Sequence, residues 1–113
     1  MEEARRICAI VSVQNEYNLG HRSSEDVLQA CERLGIAFLP WYPFGAGDIL
    51  KKNEVKATAR KLKATPAQVA LAWLLAKSPV ILPIPGTASV PHLEANVGAA
   101  LIALAADDMK ALT

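Results

Sequence analysis

Groups able to recognise a ligand gather at three places in this 113-residue chain. Gln14-Asn15-Glu16-Tyr17-Asn18, the stretch 41–47 and Pro85-Gly86-Thr87-Ala88-Ser89 each follow directly on an apolar run. They offer amides, hydroxyls, aromatic rings and glycine backbone, groups suited to hydrogen bonding and stacking. Thiol and metal chemistry find no such support. Cys8 and Cys31 form no CxxC pair and have no clustered His partner, so they read as free buried thiols in a reducing compartment. Gly45-Ala46-Gly47 lacks the third glycine of a GxGxxG dinucleotide fingerprint.

The elements that would carry these groups alternate. The segments 7–13, 36–41 and 80–84 read as strands, apolar enough to be buried on both faces. Pro40 and Pro83 mark where pairing should stop, because proline has no N–H to give. Ser23 and Ser24 can cap a helix whose stripe is Val27, Leu28, Cys31 and Leu34, with Gly35 as its left-handed stop. Residues 50–63 carry a second helical pattern. Its lysines, Lys51, Lys52, Lys56, Lys61 and Lys63, read as a wet face.

Thr65-Pro66-Ala67-Gln68 combines an N-cap threonine, a first-turn proline and a Gln at the third position, which together make a capping box. The helix that follows is apolar nearly all round, which places Trp73 in the core. Ser89 can cap another helix, and a last one starts near Ala106. The order β-α-β-α-α-β-α-α implies an α/β fold with parallel strands. Ligand sites in such folds lie at the carboxyl ends of the strands, where the three groups of residues fall.

Composition narrows the partners. Residues are 52% hydrophobic and 20% charged, with a formal net charge of +1. That supports one packed domain and argues against nucleic acid or an anionic membrane as partner. The longest apolar run, Val69 to Ala76, is too short to span a bilayer, and no secretory segment opens the chain. The sequence reads as that of a soluble cytoplasmic protein.

Three strings in register carry a resemblance. Val13-Gln14-Asn15-Glu16-Tyr17-Asn18, the stretch 65–75 and Ile84-Pro85-Gly86-Thr87, followed by His92-Leu93 and Asn96, resemble the C-terminal portion of the aldo-keto reductase family. The resemblance runs from about residue 5 to the end. It implies part of a (β/α)8 TIM barrel, with parallel strands resembling barrel strands six to eight. A whole barrel takes roughly 250 residues, so the first five or so strands would lie upstream of Met1. It also implies carbonyl reduction by hydride transfer from NADPH, with NADH a possible substitute.

Site residues follow from the same resemblance. Gln14 matches the position that hydrogen-bonds the nicotinamide carboxamide, and Trp41 the position that stacks on the nicotinamide ring. Phe44 and Gly45 fall in the loop passing the pyrophosphate. Gly86 and Thr87 match contacts at the 2′-phosphate end of the adenosine. His92 takes a place often held by Arg, and Asn96 one that binds adenine. Plainer roles stand beside these: a polar strand end for Gln14, core packing for Trp41, turn formation for Thr87 and an ordinary first-turn place for His92. Gly86 stands where many members have Lys, and Ala95 where an acidic residue is usual. Both departures weaken the expected preference for a charged 2′-phosphate and for adenine.

The family's catalytic Tyr, Lys, Asp and His match nothing here. Tyr17 and Tyr42 are the only tyrosines, and both sit after late strands. The expected protein is therefore a reductase fragment, inactive alone, with a small carbonyl substrate only in an intact barrel. The alternative is a non-catalytic scaffold that self-associates, or meets a complementing N-terminal half, through open sheet edges.

Overall fold

The computed structural model describes residues 1–113. Its N-terminus is helical. Glu2 and Glu3 occupy the first turn of α1 (Glu2–Ile7) and Arg5 and Arg6 the last, signs that complement the helix dipole. Arg5 also bridges Glu2 at 3.1 Å. This displaces the strand expected over 7–13. Ile7 ends the helix, and β1 runs Ser12–Glu16. The apolar run was misleading because much of it is not buried: Ile7 is 86% and Val11 78% exposed. The polar residues expected to follow the strand form it instead. Cys8 is likewise exposed rather than buried, while Cys31 is buried.

β2 (Ala37–Trp41) lies parallel to β1, with Val13 opposite Phe38, Gln14 opposite Leu39 and Glu16 opposite Trp41. The crossover is α2 (Glu25–Leu34), which buries Leu28 and Cys31 and stops at Gly35 in the left-handed region, φ 67°. Alternation sends the two rows of side chains to opposite faces. Phe38 and Pro40 are fully buried on one face. Gln14 and Trp41 share the other, and both are exposed.

The expected third strand over 80–84 is reduced to a single bridge, Phe38 to Ile81. Two backbone bonds make it: the Phe38 N–H donates to Val80 O and the Leu82 N–H to Phe38 O, each at 2.9 Å. The next donor on that edge of β2 would be residue 40. Proline has none, so the ladder stops. Pairing with β1 uses the alternate residues 37 and 41 (Ala37 N–H to Val11 O, Tyr17 N–H to Trp41 O), so Pro40 leaves that ladder intact through Trp41. Pro40 thus ends one pairing and spares the other. The sheet is two-stranded, not three-stranded.

The rest packs on the buried face. Two 3₁₀ turns, Gly45–Gly47 and Ile49–Lys51, lead into α3 (Asn53–Leu62). Then comes α4 (Pro66–Lys77), which opens with the expected capping box. The Gln68 N–H donates to Thr65 Oγ1, and the Thr65 N–H to Gln68 Oε1, both at 3.1 Å. Its residues Val69 to Leu74 are all buried. α5 (Val90–Gly98), a 3₁₀ turn Ala99–Leu101 and α6 (Ala106–Leu112) complete the chain.

Trp73 stands at the centre of the core, fully buried as expected. Tyr17 stacks on it at 6.0 Å and meets the edge of Phe38 at 5.7 Å. Arg22 lies over the indole at 4.7 Å, and the indole N–H donates to Thr113 Oγ1. The lysine face is not wholly wet, because Lys61 Nζ reaches the buried Asp108 of α6 at 2.6 Å. No helix is long and apolar enough to cross a membrane.

Candidate functional site

Five of the eight candidate residues line one cleft of about 360 Å³. Its walls come from four stretches. The loop after β2 gives Phe44 and Leu50; the start of α4 gives Thr65 and Ala67; the turn after the residual third strand gives Gly86 and Thr87; and α5 gives His92, Ala95 and Asn96. These stretches are spread over residues 44–96 of the sequence, and the packing of α4 against α5 brings them together.

Local rules explain each placement. Ser89 Oγ accepts the His92 N–H, so α5 starts with His92 in its first turn. Thr87 Oγ1 accepts the Ser89 N–H, which closes the turn ahead of that cap. The turn-forming role weighed for Thr87 therefore holds, and it coexists with a place in the cleft wall. Gly86 has open space where a Cβ would go, so nothing in the chain itself demands glycine there. The cleft offers hydroxyls, an amide and an imidazole. It contains no Lys or Arg, which leaves His92 as its one side chain able to carry positive charge.

Gln14 and Trp41 lie elsewhere. They sit two residues out of step on the bare face of the sheet, since Gln14 pairs with Leu39 and Trp41 with Glu16. Trp41 is 43% exposed, so the core role weighed for it does not hold. Its ring lies tilted against that of the similarly exposed Tyr42, with centroids 6.1 Å apart. Gly45 lines neither surface. It lies with Glu16, Asn18, His21 and Lys52 around a smaller polar pocket of about 210 Å³, with φ 50°. Glu16, opposite Trp41 on the same face as Gln14, also lines the Gly45 pocket, so that pocket adjoins the open sheet face, while the cleft holds the other five candidates.

A clamp ties them to the core. Asn18, buried, donates from Nδ2 to Tyr42 O at 2.8 Å and accepts the Gly20 N–H at 2.9 Å. That bond holds Tyr42 at φ 61°, directly after Trp41. Behind it the Tyr17 hydroxyl donates to Glu25, whose other oxygen meets Lys77 Nζ at 2.9 Å. Burial pushes the Tyr17 hydroxyl well above its ordinary range, and the bond to Glu25 pushes it further. Burial alone would raise Glu25, but the bonds from Tyr17 and Lys77 outweigh it and hold the carboxyl below its usual value. A phenol held this tightly is a poor proton donor to a substrate.

Sequence reasoning missed Leu50, Thr65, Ala67 and Ala95 as cleft residues. Thr65 and Ala67 were visible in the sequence as a helix start, but a capping pattern says where a helix begins and nothing about what its first turn faces. No cluster of metal-ligating side chains exists.

Comparisons with known proteins converge on one family. The sequence profile described as "Aldo/keto reductase family" matches residues 1–113. The pyridoxine 4-dehydrogenase of Escherichia coli is 46% identical over 110 residues, which are 97% of this chain and 38% of that enzyme. The crystal structure of a thermostable aldo-keto reductase with the inhibitor epalrestat superposes with a TM-score of 0.90 at 33% identity, over 98% of this chain and 42% of that one. An aldo/keto reductase from Klebsiella pneumoniae, solved with NADP and acetate, gives 0.84 at 28% identity over 90% and 38%. The chain spans 38% of the length of that dehydrogenase and 35% of an uncharacterized oxidoreductase of Schizosaccharomyces pombe to which it is 47% identical. A parallel β1–β2 pair with its helices superposes on these barrels, and the profile covers the whole sequence: the chain belongs to the aldo/keto reductase family.

Proposed function

We propose that this chain forms the cofactor side of an NAD(P)H-dependent carbonyl reductase, corresponding to the later strands of the barrel, with the cleft taking the adenosine 2′-phosphate end. The observation that carries it is the gathering of Phe44, Gly86, Thr87, His92 and Asn96 from distant stretches around one cleft. The donor set fits a phosphorylated ribose. The Thr65 and Thr87 hydroxyls and the Asn96 amide can hydrogen-bond phosphate and ribose oxygens, and His92 can add a charge-assisted bond when protonated. With no guanidinium present, discrimination of NADPH over NADH is modest.

Gln14 and Trp41 hold the nicotinamide end in this reading. The Gln14 amide pairs with a carboxamide, and the Trp41 ring covers one face of the nicotinamide. When bound, the cofactor supplies the hydride. The proton comes from outside this chain, because Tyr17 is sealed against Glu25 and Tyr42 falls outside the cleft. The isolated chain therefore binds the cofactor weakly and does not reduce carbonyls.

Calorimetric titration with NADPH tests the binding. Loss of the binding isotherm in Asn96→Ala, with the fold intact by circular dichroism, supports the reading. Equal binding by wild type and variant defeats it. Turnover of an aldehyde panel by the chain alone would overturn the inactivity.

A second reading rests on one observation. An apolar groove of about 450 Å³ runs between α4, α5 and the stretch 82–85, and Leu82, Leu93 and Val97 are more than half exposed along it. This surface suits pairing with another polypeptide, either a second copy or the remainder of a barrel. A strict monomer by light scattering at high concentration counts against self-pairing.

A further inference from the structure

The two helical walls of the cleft are joined by one side chain. α4 contributes Thr65 and Ala67 to one wall, and α5 contributes His92, Ala95 and Asn96 to the other. Between them the Gln68 Nε2 donates to Ala95 O at 2.9 Å, the one side-chain hydrogen bond linking these helices. The same amide's oxygen accepts the Thr65 N–H in the capping box. Gln68 thus uses its acceptor on its own helix and its donor on the neighbour.

Gly98 makes room for this. A Cβ there would lie 3.2 Å from Gln68 Nε2, a tight contact to which the amide would have to give by a few tenths of an ångström. The Gly98 backbone is ordinary right-handed helix, φ −59°, so its lack of a side chain answers to this contact and not to a turn.

We propose that Gln68 is a positioning residue that sets the spacing between the two walls, and through it the affinity of the cleft for a 2′-phosphorylated adenosine. The inference rests on the adenylate reading above. Its chemistry is directional. A capping box needs only an acceptor at Gln68, whereas the bond to Ala95 needs a donor.

Gln68→Glu separates the two. The carboxylate still accepts the Thr65 N–H, and a negative charge in the first turn suits α4. It cannot donate to Ala95 O, and two acceptors then face each other. Once protonated, the carboxyl regains a donor and reproduces the amide's pattern. Gly98→Ala attacks the same bond from the other side, while its gain in helix propensity favours α5.

The test titrates the chain with adenosine 2′,5′-bisphosphate by calorimetry, with thermal melts alongside. Binding should weaken about tenfold in Gln68→Glu near neutral pH, with a melting temperature within a few degrees of wild type. The ratio of variant to wild-type affinity should return toward one as pH falls through the carboxyl range. Gly98→Ala should weaken binding without loss of melting temperature. A lost cap alone would lower the melt and show no recovery at acid pH, so that pattern overturns the assignment. Undiminished binding in Gln68→Glu overturns it while leaving the adenylate reading standing. No binding by the wild-type chain overturns both.

Discussion

The two faces of the β1–β2 pair are built from alternate residues of the same ten positions, yet they share almost no physics. The face bearing Phe38 and Pro40 is sealed by helices and joined to Tyr17 and Trp73. The face bearing Gln14 and Trp41 is open: Ser12, Gln14 and Trp41 are exposed, and Glu16, Ala37 and Leu39 only half-buried. One face is held by burial and is where stability resides. The other is free of that constraint, so its residue types answer to something besides folding. The cleft between α4 and α5 falls between these extremes, since core helices form its walls and its lining mixes Phe44, Leu50 and two alanines with Thr65, Thr87, His92 and Asn96.

The sharpest way to break this contrast is to truncate the sealed face. Phe38→Ala removes a fully buried ring that meets Tyr17 edge-on. It should cost about 3–5 kcal/mol, enough to abolish cooperative unfolding in urea if the chain is only marginally stable. A loss under about 1 kcal/mol would mean that the two faces are not distinct.

Tyr17→Phe keeps the ring and deletes only the bond to Glu25. The carboxylate then relies on Lys77 alone, for a loss of about 1–3 kcal/mol by denaturant titration. Tyr17 also predicts behaviour at high pH. Its raised folded value means that the unfolded state loses its proton first, so its contribution is whole below the ordinary value of 10.0 and falls as pH rises beyond it. Tyr17→Phe should remove that part of the alkaline decline in melting temperature.

Asp108 gives the opposite sign. The bond from Lys61, then the Ala105 N–H, hold its carboxyl below the ordinary range. Its contribution is present above the unfolded value of about 4 and is lost as pH falls through the folded one. Melting temperatures taken downward from pH 5 should decline, and more gently in Asp108→Asn. Thr65→Ala, which removes the hydroxyl half of the capping box, should cost about 1 kcal/mol.

The contrast of faces also explains what the sequence disclosed. Signals carried by one residue's own backbone chemistry were legible: the left-handed stop at Gly35 and the capping box at Thr65 and Gln68. Strand positions were legible only in part: the strand expected over 36–41 is β2, Ala37–Trp41, but the first was misplaced. A mostly apolar run suggested burial on both faces over 7–13, but the true strand, Ser12–Glu16, is polar, with one face open. Pro40 was legible as a break and illegible as to side, since only register decides which neighbour loses the donor. For the site, motif order located five cleft residues through a resemblance. It could not show that Gln14, Trp41 and Gly45 would stand on other surfaces, because that separation is set by tertiary packing.

The smallest effect on stability is the most telling. Trp41 is the largest side chain on the open face, 43% exposed, with its ring tilted against Tyr42. Trp41→Ala should therefore change unfolding free energy by under about 1 kcal/mol, against several for Phe38→Ala three residues earlier on the same strand. Tyr42, held by Asn18, should keep its backbone conformation without it. If Trp41 covers the nicotinamide, this nearly silent substitution should still weaken binding of NADPH while leaving that of adenosine 2′,5′-bisphosphate unchanged, because the second ligand lacks the ring. Equal weakening of both ligands would place Trp41 in the structure of the cleft and erase the distinction between the bare face and the sealed one. A loss confined to NADPH would assign the bare face to ligand and the buried face to the fold.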